Sequence, residues 1–145
     1  LCLKMRLKLL TIKITYDIIA MLIYKSIGGF VMPYIEAKVS CSITDEQTEL
    51  LKKGFGKAIE CIPGKSEGWL MVNIEDGKKM YFKGDASSDT AFISVAIFGK
   101  AGADAYENLT KSICNLINEI LGISPDRTYV TYSEVDNWGW NGMNF

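Results

Sequence analysis

Histidine is absent from all 145 residues, which excludes Ser-His-Asp and Cys-His relays and removes the commonest zinc ligand. Acid–base chemistry near neutral pH must then use another group, and an amine is the available one. The four cysteines, Cys2, Cys41, Cys61 and Cys114, fit neither a C-x-x-C redox pair nor a zinc knuckle and read as reduced thiols in a reducing compartment. No metal or cofactor is expected. Gly54-Phe-Gly56 lies mid-helix without a dinucleotide fingerprint's context, and Gly99-Lys-Ala-Gly102 lacks P-loop spacing. Asn108-Leu-Thr110 fits a glycosylation sequon but falls in a helical stretch, and receives no role.

The Met32-Pro33 junction differs in kind from these. A chain started at Met32 would lose its initiator residue, because proline is small, and Pro33 would carry a free amine. With residues 1–32 attached, the same nitrogen is a tertiary amide with no basic lone pair. Read from the residues alone, Pro33 is a rigid start to an edge strand.

The elements around it follow from periodicity. Ile35, Ala37 and Val39 alternate with polar residues, as in a half-buried strand. Thr44-Asp-Glu-Gln47 reads as a capping box opening a helix that presents Leu51, Phe55, Ala58, Ile59 and Ile62, stopped by Pro63-Gly64. Trp69–Ile74 reads as a strand, and Met80–Phe82 as a short extra one. The plan then repeats at a period near 58 residues. Ala91–Phe98 is a strand, Asp104-Ala-Tyr-Glu107 a second capping box, and Leu109, Ile113, Leu116, Ile117 and Ile120 a helix face ended by Gly122 and Pro125. Tyr129, Val130 and Tyr132 mark a fourth strand, and the Trp138–Phe145 tail a short strand or hooked turn.

Right-handed crossovers make each unit's strands parallel. The expected fold is therefore α/β, with duplicated β-α-β units forming a four-stranded mixed sheet and two helices on one face. Trp69–Ile74 and Ala91–Phe98 read as apolar on both faces, so the uncovered face calls for further copies of the chain and a homo-oligomer.

Composition divides the chain. The whole is 48% apolar and 23% charged, the profile of one globular domain. Residues 1–32 hold Lys4, Arg6, Lys8, Lys13 and Lys25 against Asp17 alone, a net of +4, whereas residues 33–145 hold 11 basic and 16 acidic side chains, a net of −5. We expect residues 1–32 to be an upstream-translated or non-native extension, and residues 33–145 to be the domain. A signal peptide would need an unbroken apolar stretch and a small-residue cleavage site. A membrane-surface helix over residues 7–24 is disfavoured by β-branched content. Lys13, Asp17 and Lys25 interrupt the most apolar stretch, so no bilayer span is expected. The acidic body disfavours a nucleic-acid partner.

Several pieces in order resemble one family: Met32-Pro33, Pro63-Gly-Lys65, Phe98-Gly-Lys100, Ile123-Ser-Pro-Asp-Arg-Thr-Tyr-Val130 and Trp138-Gly-Trp-Asn-Gly142. Over residues 32–145 the chain resembles the macrophage migration inhibitory factor family of the tautomerase superfamily. The resemblance implies a trimer whose sheets form a central barrel, with active sites at the subunit boundaries. It also implies isomerase activity, the keto–enol tautomerisation of phenylpyruvate-like aromatic α-keto acids, with dopachrome-type tautomerisation as a related reaction.

On that resemblance Pro33 is the catalytic base. Lys65 matches the lysine that pairs with the substrate carboxylate and helps depress the proline pKa; its plain alternative is a solvated lysine near a helix end. Phe98 sits where a backbone N–H binds substrate, commonly on an isoleucine. Tyr129 matches a tyrosine contributed by the neighbouring subunit, and Thr131 replaces a frequent asparagine with a shorter hydroxyl. Trp140 and Phe145 match aromatic pocket walls, and Trp138 is bulkier than the aliphatic residue often found there. The family's C-x-x-C aligns with Thr90–Ile93, which has no cysteine, so thiol-oxidoreductase activity is expected to be missing.

The competing readings are a cytokine-like signalling or protein-binding module with a vestigial site, and a small-ligand regulatory domain by fold analogy alone. The expected location is the cytoplasm, or outside the cell without a signal peptide.

Overall fold

The computed structural model describes residues 32–144. The expected extension up to Val31 and the pocket-wall assignment of Phe145 lie outside the described residues.

Strand β1 (Pro33–Val39) leads into helix α1 (Asp45–Ala58), strand β2 (Met71–Glu75), strand β3 (Ala91–Phe98), helix α2 (Ala103–Leu121) and strand β4 (Thr128–Val135). The sheet runs β2-β1-β3-β4. Pairs β1–β2 and β3–β4 are parallel, and β1–β3 is antiparallel. This is the expected mixed sheet of two β-α-β units.

Alternation along β1 and β3 divides the sheet. Ile35, Ala37 and Val39 join Ala91, Ile93, Val95 and Ile97 in one buried cluster with Leu51 and Phe55 of α1 and Leu109, Ile113 and Ile117 of α2. Both helices therefore cover the same face. Gly54 lets the helices approach, since a Cβ there would stand 2.2 Å from Leu116 Cδ1, and Gly56 admits the loop after α1, since a Cβ there would stand 2.6 Å from the Glu67 side chain. These glycines are packing residues. The opposite face is mixed in character rather than wholly apolar. Phe92 and Ala96 of β3 lie on it, beside Ser94, and across the register come Glu36, Lys38, Asn73 and Glu75, with a Glu36–Lys38 ion pair at 3.0 Å.

The Thr44 capping box forms as expected, with the Thr44 hydroxyl accepting from Gln47 N at 3.1 Å and Thr44 N donating to Gln47 Oε1 at 2.9 Å. The second box does not form. Helix α2 starts at Ala103 behind Gly102, without a side-chain cap. Glu134 anchors that end instead, accepting from Tyr106 Oη at 2.8 Å and Ala101 N at 3.4 Å, while Glu107 pairs with Lys111. Helix α1 ends at Ala58 and tightens into a 3₁₀ turn, Ile59–Cys61, before Pro63 is reached.

The expected strand from Trp69 begins only at Met71, because Glu67–Trp69 form a 3₁₀ turn closed by Leu70 N to Glu67 O. Met80–Phe82 form no strand. Lys83 and Gly84 adopt positive φ (53° and 78°), folding Phe82 back onto Asp85 in a single bridge. The tail is a hairpin of β5 (Gly139–Trp140) and β6 (Met143–Asn144), turned by Asn141-Gly142 with both φ positive, the Asn-Gly combination that type I′ turns favour. Among the described residues no helix is long and apolar enough to cross a membrane.

Candidate active site

Antiparallel pairing places Pro33 opposite Ile97, at the end of β3. One residue beyond, Phe98 N donates to the carbonyl of Met32 at 3.1 Å. The loop leaving α1 turns at Gly64, with φ 78°, and brings Lys65 back over this strand end, where Lys65 Nζ donates to Phe98 O at 2.8 Å. Three of the sequence-designated residues thus converge. Burial lowers the Lys65 pKa from its ordinary 10.5, since desolvation disfavours the ammonium form. No acidic side chain lies within ion-pair distance of it among the described residues, so its charge is not neutralised there.

A cleft of about 570 Å³ opens beside Pro33, walled by Tyr34, Trp69, Met71, Trp138 and Trp140. Trp69 and Trp140 meet edge to face, with centroids 5.3 Å apart and planes at 86°. Trp69, Met71, Trp140 and Met143 are large apolar residues left exposed, the surface character of a binding site. Sequence reasoning misses Trp69 and Met71, because the apolar run assigns both to a buried strand. The signal that could find Trp69 is its position in the same short loop as Lys65.

The remaining designated residues sit elsewhere on the chain. Tyr129 pairs with Phe92 and Thr131 with Ser94, which puts Tyr129 roughly 20 Å along β3 from Phe98 at the usual rise per strand residue. Tyr129 is 58% exposed. The Thr131 hydroxyl donates to Ile93 O at 3.5 Å. Within one chain, then, Lys65 and Phe98 meet at the start of Pro33's strand, Trp140 lines the cleft beside Pro33, and Tyr129 and Thr131 do not join them.

The profile of the family described as macrophage migration inhibitory factor (MIF) matches residues 32–145. The chain belongs to the macrophage migration inhibitory factor family. Among relatives carrying that name, the rat protein is 36% identical over 84 residues, covering 57% of this chain and 72% of its own. The Xenopus laevis protein is 30% identical over 106 residues, covering 72% and 88%. Among solved structures, Leishmania major MIF2 superposes with a TM-score of 0.73 at 29% identity, over 79% of this chain and 97% of that one. The homologue from Prochlorococcus marinus gives 0.70 at 28%, over 77% and 98%. Pt0534 inactivated by 2-oxo-3-pentynoate, at 15% identity and a TM-score of 0.68 over 75% of this chain and 93% of its own, shares the fold. The macrophage migration inhibitory factor fold and the tautomerase superfamily are thus established for residues 32–145, and the cleft beside Pro33 lies within the matched region.

Proposed function

We propose that the domain is a keto–enol tautomerase of phenylpyruvate-like α-keto acids, in which the amine of Pro33 acts as the base once residues 1–32 are absent. The observation that carries this reading is the convergence of Pro33, Lys65 and the Phe98 backbone beside a tryptophan-walled cleft. A chain-terminal amine begins near a pKa of about 8. The apolar walls and the Lys65 charge both disfavour its protonated form, so Pro33 can be a neutral base near pH 7.

In this reaction Pro33 N takes a proton from the carbon next to the keto group, and the electron pair moves toward the keto oxygen. A proton returned to that oxygen completes the enol, with no oxidant or cofactor required. Lys65 holds the carboxylate and the Phe98 N–H supplies a second donor. Trp69 and Trp140 flank the ring, and Phe145 follows in the same tail. Tyr129 and Thr131, remote from their own Pro33, serve a neighbouring subunit's cleft in a homotrimer.

Attachment of residues 1–32 blocks this site twice. It makes the Pro33 nitrogen an amide, and it keeps the Met32 carbonyl on the Phe98 N–H. The test compares phenylpyruvate enolisation by the full chain, by protein started at Met32 with the methionine removed, and by its Pro33→Gly variant. Activity is expected only in the second. Equal activity in all three would overturn the reading, and a stable monomer by light scattering would overturn the shared sites.

A further inference from the structure

Tyr129 is exposed, yet its ring is held. Phe82 stands 5.3 Å from it between centroids, tilted by 60°. Phe82 opens the tight turn to Asp85, in which the two residues exchange backbone hydrogen bonds of 2.9 and 3.0 Å. Lys83 occupies the left-handed region at φ 53°, a conformation that persists for a non-glycine residue only when the surroundings impose it.

The Phe82–Asp85 backbone pair closes that turn, and Arg127 holds its far end. Arg127 lies two residues before Tyr129, with its side chain 17% exposed. Its Nε donates to Asp89 O at 2.9 Å, and its terminal nitrogens donate to Ser88 O at 2.7 Å and the Asp85 carboxylate at 3.3 Å. The guanidinium also lies 5.4 Å from the Phe82 ring centroid, and Lys83 Nζ lies 5.3 Å from it. One guanidinium therefore fastens the loop preceding β3 to the start of β4, and the Phe82 ring meets both cations and Tyr129. Neither Phe82 nor Tyr129 belongs to the buried core cluster or to the apolar residues packed against it, so core packing does not account for their pairing.

We propose that Phe82, clamped by Arg127, is a positioning residue that fixes the Tyr129 ring for the substrate in the neighbouring subunit's cleft. This rests on the tautomerase reading. It extends the specificity apparatus to a loop on the opposite end of the sheet from the subunit's own Pro33.

The test uses the chain from Met32, which holds the core cluster of the described residues, in wild-type, Phe82→Ala, Phe82→Tyr, Tyr129→Ala and Phe82→Ala/Tyr129→Ala forms, with phenylpyruvate and with an α-keto acid lacking a ring. An aromatic pair of ordinary strength corresponds to roughly 3- to 10-fold in binding. Phe82→Ala is expected to raise KM for phenylpyruvate by that factor, with kcat within about twofold and the ringless substrate unaffected. Phe82→Tyr is expected to restore KM, and the double variant to match Tyr129→Ala alone, because residues acting through one interaction are not additive. An unchanged KM in Phe82→Ala would overturn the proposal, as would a double variant showing the product of the two single effects. Phe82→Leu, which keeps bulk without a ring face, replaces Phe82→Ala if the latter does not fold and is read by the same criteria. An inactive wild type with a free Pro33 would instead overturn the tautomerase reading, and this proposal with it.

Discussion

The two β-α-β halves share a plan but use their cations differently. Each has a single basic residue in the loop between its helix and the returning strand, Lys65 in the first half and Arg127 in the second. Arg127 is committed to structure, with its donors spread over Asp85, Ser88 and Asp89. Lys65 makes one hydrogen bond to a carbonyl, meets no carboxylate among the described residues and is partly desolvated. The shared plan places two similar loops. The first kept an uncompensated charge beside a strand start, and the second turned its charge into a clamp.

The largest test of this contrast is at the strand starts themselves. Pro33 opens β1 and Ala91 opens β3, and only the former lies by an available cation. Pro33→Gly in protein started at Met32 is expected to lower kcat by about 10²- to 10⁴-fold, the usual contribution of a positioned base, with thermal unfolding little changed. Steady-state kinetics beside calorimetry decide this, and a loss confined to KM would remove Pro33 from the chemistry.

The two loop cations should then separate by what they damage. Arg127→Met strips four hydrogen bonds from one charged group, and bonds to charged groups contribute more than neutral ones. It is expected to cost about 2 kcal/mol of folding stability, measured by urea denaturation. Lys65→Met is expected to raise KM about tenfold or more, because it removes a charge-assisted hydrogen bond to the substrate carboxylate, while not lowering stability at neutral pH, where the buried charge opposes folding. Reversal of the two outcomes would erase the contrast between the halves.

Lys65 also carries a pH signature. Its folded-state pKa is below the ordinary 10.5 because of burial, so the unfolded chain binds its proton more tightly and the charged form opposes folding. That opposition is complete below the lowered pKa and fades as pH rises toward 10.5. The stability of wild type minus that of Lys65→Met should therefore increase with pH across this interval. A difference that falls or stays flat would show that burial does not depress this lysine.

Strand alternation and helix faces make the sheet and its two helices legible in the sequence, since Ile35, Ala37, Val39 and Ile113 report burial by spacing alone. Pro33, Lys65 and Phe98 are legible as a set only through their order along a family pattern; their convergence depends on β1–β3 register and the Gly64 turn, which no local period encodes. Trp69 escapes a reading by periodicity because a 3₁₀ turn breaks the apolar run before Met71. Met80–Phe82 imitates a strand because its apolar run ends at a Lys83-Gly84 turn that pairs Phe82 with Asp85 alone. In both cases a tight turn overrides the apolar pattern, and in both the residue involved faces a proposed substrate site or the residue that serves one.

The smallest expected effect concerns helix starts. Thr44 satisfies a backbone donor of α1 within a complete capping box, so Thr44→Ala should destabilise by about 1 kcal/mol. Asp104 sits in the first turn of α2 without capping it, and contributes only its charge near the positive end of the helix. Asp104→Ala should therefore cost no more than about 0.5 kcal/mol, and less as salt is raised. Thr44→Ala should lose the same stability at low and high salt, because a neutral hydroxyl–amide bond is not screened. Denaturation of both variants at two ionic strengths separates a capping hydrogen bond from a charge–dipole attraction. Equal, salt-independent losses would mean that Asp104 caps after all and that the second half reproduces the first more closely than its hydrogen bonds show.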